Sequence, residues 1–204
     1  MDTESIWDKR LQIRTTGRDE ENADRYRYPY EPTPYCVLER LSNSCLIGKD
    51  DVLLDYGCGK GRVDFFLAHQ TGASTIGVEY DERICQSALE NRKAFTSGKI
   101  PEFVLTRAEN YEVPLNVTCC YFFNPFSLEI LRKVMARILE SYYENPRKMR
   151  LFFYYPSEAY LSYLMTLDEL EAYDEIACGD LFQTKSTRER IVIFSLPGYE
   201  VHEN

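Results

Sequence analysis

"VLLDYGCGKGR" (52–62) runs three apolar residues into an acid and an aromatic ring, then alternates three glycines with other residues. The run "DVLLDY" (51–56) is too apolar for a half-exposed strand and suits a parallel strand buried on both faces. Gly57, Gly59 and Gly61 then fall in the turn that leaves such a strand. Glycine permits positive φ there and lets main chain approach a ligand with no side chain between them. A helix starting near Lys60 would add free N–H groups to that turn.

The same alternation continues downstream. "STIGVEY" (74–80), "EFVLTR" (102–107), "NVTCCYFF" (116–123) and "MRLFFYY" (149–155) read as further strands, and two apolar stretches follow near 172–178 and 190–196. Helical spacing of Val63, Phe66 and Leu67 predicts a helix over 60–70. Asp81 can cap a helix carrying Ile84, Ala88 and Leu89, and Ser127 one with Leu131, Val134, Met135, Ile138 and Tyr142 as a stripe. Another helix is expected over 36–45, and one from about Ser157. Strand–helix alternation of this kind predicts an α/β fold with a doubly wound, mostly parallel sheet. Residues 3–28 are polar with little core pattern, and "YRYPYEPTPY" (26–35) is too rich in proline for helix. The expectation is one domain over 1–204: an N-terminal extension and possible lid over 1–35, and the α/β core over 36–204.

The seven cysteines are odd in number and show no Cys-x-x-Cys spacing, so reduced thiols are expected and no metal site. Of two histidines only His69 lies within the core, which leaves no histidine pair for catalysis. A net charge of −9 weighs against duplex nucleic acid, whose binding relies on lysine and arginine displacing counterions. No apolar run is long enough to span a bilayer, and the first residues lack the basic start and apolar core of a secretion signal. A cytoplasmic protein without a membrane partner is expected.

Three ligands compete for the glycine turn. A P-loop needs G-x-x-x-x-G-K-[ST], and no Ser or Thr follows Lys60. A dinucleotide turn needs G-x-G-x-x-G, and Arg62 stands where its third glycine belongs. What remains is D-x-G-x-G-x-G from Asp55 to Gly61. Glu79 ends the second strand, where an acid can accept hydrogen bonds from ribose hydroxyls. That acid alone does not separate NAD from S-adenosylmethionine.

"LLDYGCGKGR" followed by "IGVEYD" resembles the first two motifs of class I S-adenosylmethionine-dependent methyltransferases, over roughly residues 35–155. The resemblance implies a Rossmann-like methyltransferase fold with a seven-stranded sheet, and S-adenosylmethionine as cofactor. It places the cofactor against Asp55, Gly57, Cys58, Gly59 and Gly61, with Glu79 on the ribose and Tyr80 beside it. Glu109, and less directly Asn110, occupy the position of an adenine contact. "FFNPF" (122–126) is similar to the Asn/Asp-Pro-Pro-Tyr/Phe motif of amino-group methyltransferases, with one proline missing. It implies a catalytic set of Asn124, Pro125 and Phe126, with Asn124 also beside the cofactor. Its carbonyl would accept N–H bonds from the acceptor nitrogen and aim that nitrogen's lone pair. "YPYEPTPY" (28–35) is similar to a Tyr-x-Thr-Pro element that closes over the cofactor, which adds Tyr30, Thr33, Pro34 and Tyr35. Tyr154 and Tyr155 are expected on the acceptor side. The acceptor itself, a small molecule or a protein, is not legible. An NAD-dependent oxidoreductase and a non-catalytic cofactor-binding protein are the alternatives.

Overall fold

The structure is a computed structural model, and it describes residues 3–21, 24–183 and 186–198. Seven strands form one sheet: β1 (Val52–Tyr56), β2 (Ser74–Glu79), β3 (Glu102–Leu105), β4 (Cys119–Phe122), β5 (Met149–Tyr154), β6 (Glu171–Ala177) and β7 (Arg190–Leu196). Their spatial order is β3-β2-β1-β4-β5-β7-β6. The first five run parallel, while β7 lies antiparallel to both β5 and β6. The order reverses between β1 and β4, and ligands of open α/β sheets bind at such a point.

Period-two alternation divides the core into two layers. Leu53, Cys119, Tyr121 and Phe152 face one layer; Leu54, Cys120, Phe122, Leu151 and Phe153 face the other. The first layer holds α1 (Thr3–Leu11), α2 (Tyr35–Asn43) and α3 (Arg62–Thr71); the second holds α5 (Leu128–Glu144) and α6 (Glu158–Leu164). The predicted stripe on α5 is buried in full. Ser127 and Ser157 cap α5 and α6, and Asp81 caps α4 (Glu82–Ala94) through the N–H groups of Arg83 and Ile84.

Three expectations differ from the structure. The segment 3–28 carries more core than its polarity suggests: Trp7, Leu11 and Ile13 are buried, and Trp7 meets Phe66 edge-on at 4.8 Å. Two of its polar residues, Asp8 and Thr15, are buried too, which hides the pattern. Asp8 accepts hydrogen bonds from Thr15, Thr16 and Tyr35. Arg62 donates to Thr15, Thr16, Glu4 and the Thr33 carbonyl, with its guanidinium over the Tyr35 ring. The helix after the glycine turn begins at Arg62 rather than Lys60. The stretch near 172–178 is an edge strand, β6, and all but one of its residues are exposed. Acids on such an edge oppose pairing with another chain.

His69 is structural. Its Nδ1 lies 2.6 Å from the Ser97 carbonyl and its ring packs against Trp7. All seven cysteines are free. No helix among the described residues is long and apolar enough to cross a membrane, and those residues form no cluster able to hold a metal.

Candidate active site

A cavity of about 510 Å³ opens beyond the carboxyl ends of β1, β2, β4 and β5. That is a usual size for a small-molecule site. Gly57, Val78 and Glu79 form one wall, continued by Tyr80, Ile84, Thr106 and Ala108. Phe123, Asn124, Pro125 and Phe126 form the opposite wall. Tyr154, Tyr155, Arg188 and Glu189 close one end, and Tyr28, Pro29 and Tyr30 of the N-terminal segment line it as well.

The glycine turn is folded by its own hydrogen bonds. The N–H groups of Gly57 and Cys58 both reach the Val78 carbonyl, at 2.9 and 3.1 Å, and that of Gly61 reaches the Cys58 carbonyl. The Gly59 N–H donates to Glu79 Oε2 at 3.0 Å. These four amides are thus spent within the protein, and the turn offers a ligand its shape rather than the free donors that the sequence suggests. Gly57 has φ +74°, and a Cβ there would stand 2.7 Å from the Cβ of Pro125. The β4 loop therefore docks on the turn only because residue 57 is bare. Gly59, at φ +58°, is likewise filled by the ring of Tyr30.

Glu79 is 6% exposed. Its Oε1 accepts from the N–H groups of Tyr80 and Asp81, at 2.8 and 2.9 Å, in addition to the Gly59 bond on Oε2. Burial pushes its carboxyl up, and these three amides work against that rise. A carboxylate has about four acceptor positions. Oε2, with one donor from the protein, keeps room for a ligand hydroxyl.

Asn124 stands at φ +44°, in the left-handed region that Asn tolerates better than most residues. Its Oδ1 is buried with no hydrogen-bond partner. A buried acceptor without a donor is costly and rare in a folded protein, and it marks a place where a ligand donor fits. Pro125 rests on Gly57. Phe126 is held from both sides: its carbonyl accepts the Tyr160 hydroxyl at 2.5 Å, and its main chain bridges Arg27.

Several residues singled out from the sequence lie off the cavity wall. Asp55 is buried beneath the turn beside Asp64 of α3, and burial raises its carboxyl to about 7. Cys58 packs its sulfur against Gly77 of β2, and burial pushes its thiol well up. Gly61 faces the Phe103 ring. Thr33 is buried, its hydroxyl 3.1 Å from that of Tyr121. Tyr35 donates to Asp8. Glu109 pairs with Arg27 at 3.0 Å, and the Asn110 N–H donates to the Arg107 carbonyl. Thr106 and Ala108, their neighbours, do line the cavity.

Little in the sequence announces the N-terminal strap over this site. The Asp19 carboxylate takes two bonds from Arg83 of α4, both 2.7 Å, and its main chain bridges Tyr30. The Tyr28 N–H donates to the Pro125 carbonyl, and the Arg27 guanidinium sits 4.9 Å from the Tyr80 ring centroid. The strap thus joins both walls. Its only signal in the sequence was the tyrosine-proline run.

The sheet order is that of the Rossmann-like methyltransferase fold, and comparison with known proteins agrees. An RNA methyltransferase from Salinibacter ruber, solved with S-adenosyl-L-homocysteine, superposes with a TM-score of 0.57 at 18% identity, over 85% of this chain and 98% of that one. The N-terminal domain of human METTL16, also with S-adenosylhomocysteine, gives 0.59 at 13% identity, over 96% of this chain and 80% of that one. At such identities the likeness is one of fold. In sequence, a protein-lysine N-methyltransferase of Saccharolobus islandicus (strain REY15A) is 34% identical over 64 residues. That match covers 31% of this chain and 40% of the relative's length. No protein-family model matches the chain.

Proposed function

We propose that the chain is an S-adenosylmethionine-dependent methyltransferase that modifies an amino nitrogen of a small-molecule or protein acceptor. One observation carries the reading: a single cavity has a carboxylate, Glu79, on one wall and on the other Asn124, whose Oδ1 is buried behind the surface without a partner. The residues fit the cofactor. Glu79 Oε2 accepts a ribose hydroxyl, Tyr80, Ile84, Thr106 and Ala108 enclose the base, and Gly57 with Pro125 backs the methionine portion. When bound, the cofactor supplies an electrophilic methyl group on a sulfonium.

Asn124 then orients the acceptor. Its carbonyl takes an N–H of the incoming nitrogen, which turns the lone pair toward the methyl group. Fixing an attack geometry in this way can supply up to about 7–11 kcal/mol of a barrier. Pro125 holds the Asn124 main chain against the turn, and the strap covers part of the site. Asp55, Glu109, Asn110 and Thr33 support the site from behind its walls. Over 1–204 we read one domain, with the strap as its lid. The oxidoreductase alternative is not favoured, because the amides that a pyrophosphate would use are spent on β2 and Glu79.

Calorimetric titration with S-adenosylmethionine and S-adenosylhomocysteine tests the cofactor. Glu79→Ala should weaken both by about 1.5–3 kcal/mol, the worth of hydrogen bonds to a charged group. Asn124→Ala should cut methyl transfer to an accepted amine while leaving cofactor affinity nearly unchanged. A wild-type chain that binds NAD instead would end the reading. Full turnover by the Asn124 variant would remove the orienting role.

A further inference from the structure

The acceptor end of the cavity has its own character. Phe123 and Tyr154 have centroids 4.7 Å apart with planes inclined by 47°, and Tyr154 and Tyr155 stand 6.2 Å apart at 59°. A planar base held by stacking on both faces needs nearly parallel rings. Rings set at these angles leave no parallel pair for a planar base. Tyr155 has φ +51°, a strained value for a bulky residue and one that occurs mainly where function requires it. Arg188 secures it. The guanidinium lies 4.2 Å from the Tyr155 ring centroid and donates to the Tyr155 and Pro156 carbonyls, at 3.3 and 3.4 Å. The arginine's hydrogen-bonding capacity is thereby directed to main chain. The carboxylate at this end is Glu189, whose Oε2 accepts the Tyr154 hydroxyl at 2.7 Å. Among the described residues, five carboxylates and two arginines line the cavity.

We propose that this end takes a cationic primary alkylamine and that Glu189 is the residue that selects it. The proposal rests on the transferase reading above and names its acceptor class. Ring faces attract an ammonium group, and a carboxylate at hydrogen-bonding range adds a charge-assisted partner. The alkyl stem packs on the rings, and Asn124 Oδ1 takes an N–H. An amide or a nucleobase would leave the Glu189 charge without a cation, and a phosphodiester would bring negative charge into an acid-lined cavity. The ammonium is held first. It gives one proton to water, and Asn124 then aims the freed lone pair.

A protein lysine and a free diamine share this chemistry, so the test keeps them apart. The full chain with S-adenosylhomocysteine is titrated with n-pentylammonium and with uncharged pentanamide. Methyl transfer is then measured to a lysine peptide, 1,5-diaminopentane, a glutamine peptide and a single-stranded adenine oligonucleotide. Pentylammonium should bind and pentanamide should not. Glu189→Gln, which keeps the shape and an acceptor for Tyr154, should weaken pentylammonium roughly tenfold or more, as loss of a charged hydrogen-bond partner does. It should raise KM for the methylated amine far more than it lowers kcat, with thermal midpoint and S-adenosylhomocysteine affinity unchanged. Faster transfer to the peptide than to the diamine identifies a protein source, and the reverse a free one. Equal binding of pentanamide, an unaffected Glu189→Gln variant, or preferred methylation of glutamine or adenine would overturn the proposal. Failure of the wild-type chain to bind S-adenosylhomocysteine would instead overturn the transferase reading.

Discussion

Replacing Asp64 by Asn should stabilise this protein more as the pH rises. Asp64 lies in the first turn of α3, fully buried, with neither oxygen partnered by a protein donor. Burial, and then the neighbouring Asp55, push its carboxyl well above an ordinary 3.8. The folded chain therefore keeps a proton that the unfolded chain releases. Such a group contributes its stability in full below pH 3.8 and loses it as pH climbs toward the folded value. Keeping that proton costs up to about 1.36 kcal/mol for each pH unit between 3.8 and the raised folded value. Asn has the same shape and no proton to keep. The variant's advantage should therefore grow as pH rises above about 4.5, by up to about 1.4 kcal/mol per unit. One amide N–H of Asn can serve Asp55. The other, left unpartnered, subtracts about 1–3 kcal/mol at every pH and leaves the slope intact. Urea unfolding of both chains across that range reads the slope directly. Parallel stability curves would refute the reasoning, because they would mean that Asp64 ionises alike in folded and unfolded chains.

Gly57→Ala should lower methyl transfer by displacing Pro125 and, with it, Asn124, since the new Cβ would stand 2.7 Å from the Pro125 Cβ at φ +74°. Turnover against S-adenosylhomocysteine affinity is the measurement, and unchanged turnover would contradict the docking of the two loops. Arg62→Ala should destabilise by about 3–5 kcal/mol, as removal of one member of a buried ion pair does. Chemical unfolding checks it, and a loss under about 1 kcal/mol would show the pair to be screened by solvent.

The strands, the caps at Asp81 and Ser127 and the helix start near Ser157 were legible because each rests on local pattern. Glu79 and Asn124 were legible because strand ends at the sheet's reversal face the cavity. Asp55 misleads for a geometric reason: side chains alternate along a strand, and at the penultimate position of β1 this acid turns beneath the turn toward Asp64. Glu109 was drawn off by Arg27, eighty-two residues away in sequence. The contribution of Glu189 could not be read, since only the antiparallel return of β7 beside β5 brings it to Tyr154. The buried Asp8–Thr15–Arg62 network reads in sequence as an ordinary polar surface.

Arg62 adjoins the glycine turn in the chain and grips the first helix in space. The opening residues and the glycine turn are therefore mechanically one body. A fusion partner, a modification or a bound molecule that tugs on the first helix reaches the turn beside the cavity through one guanidinium, with no intervening element to absorb the strain.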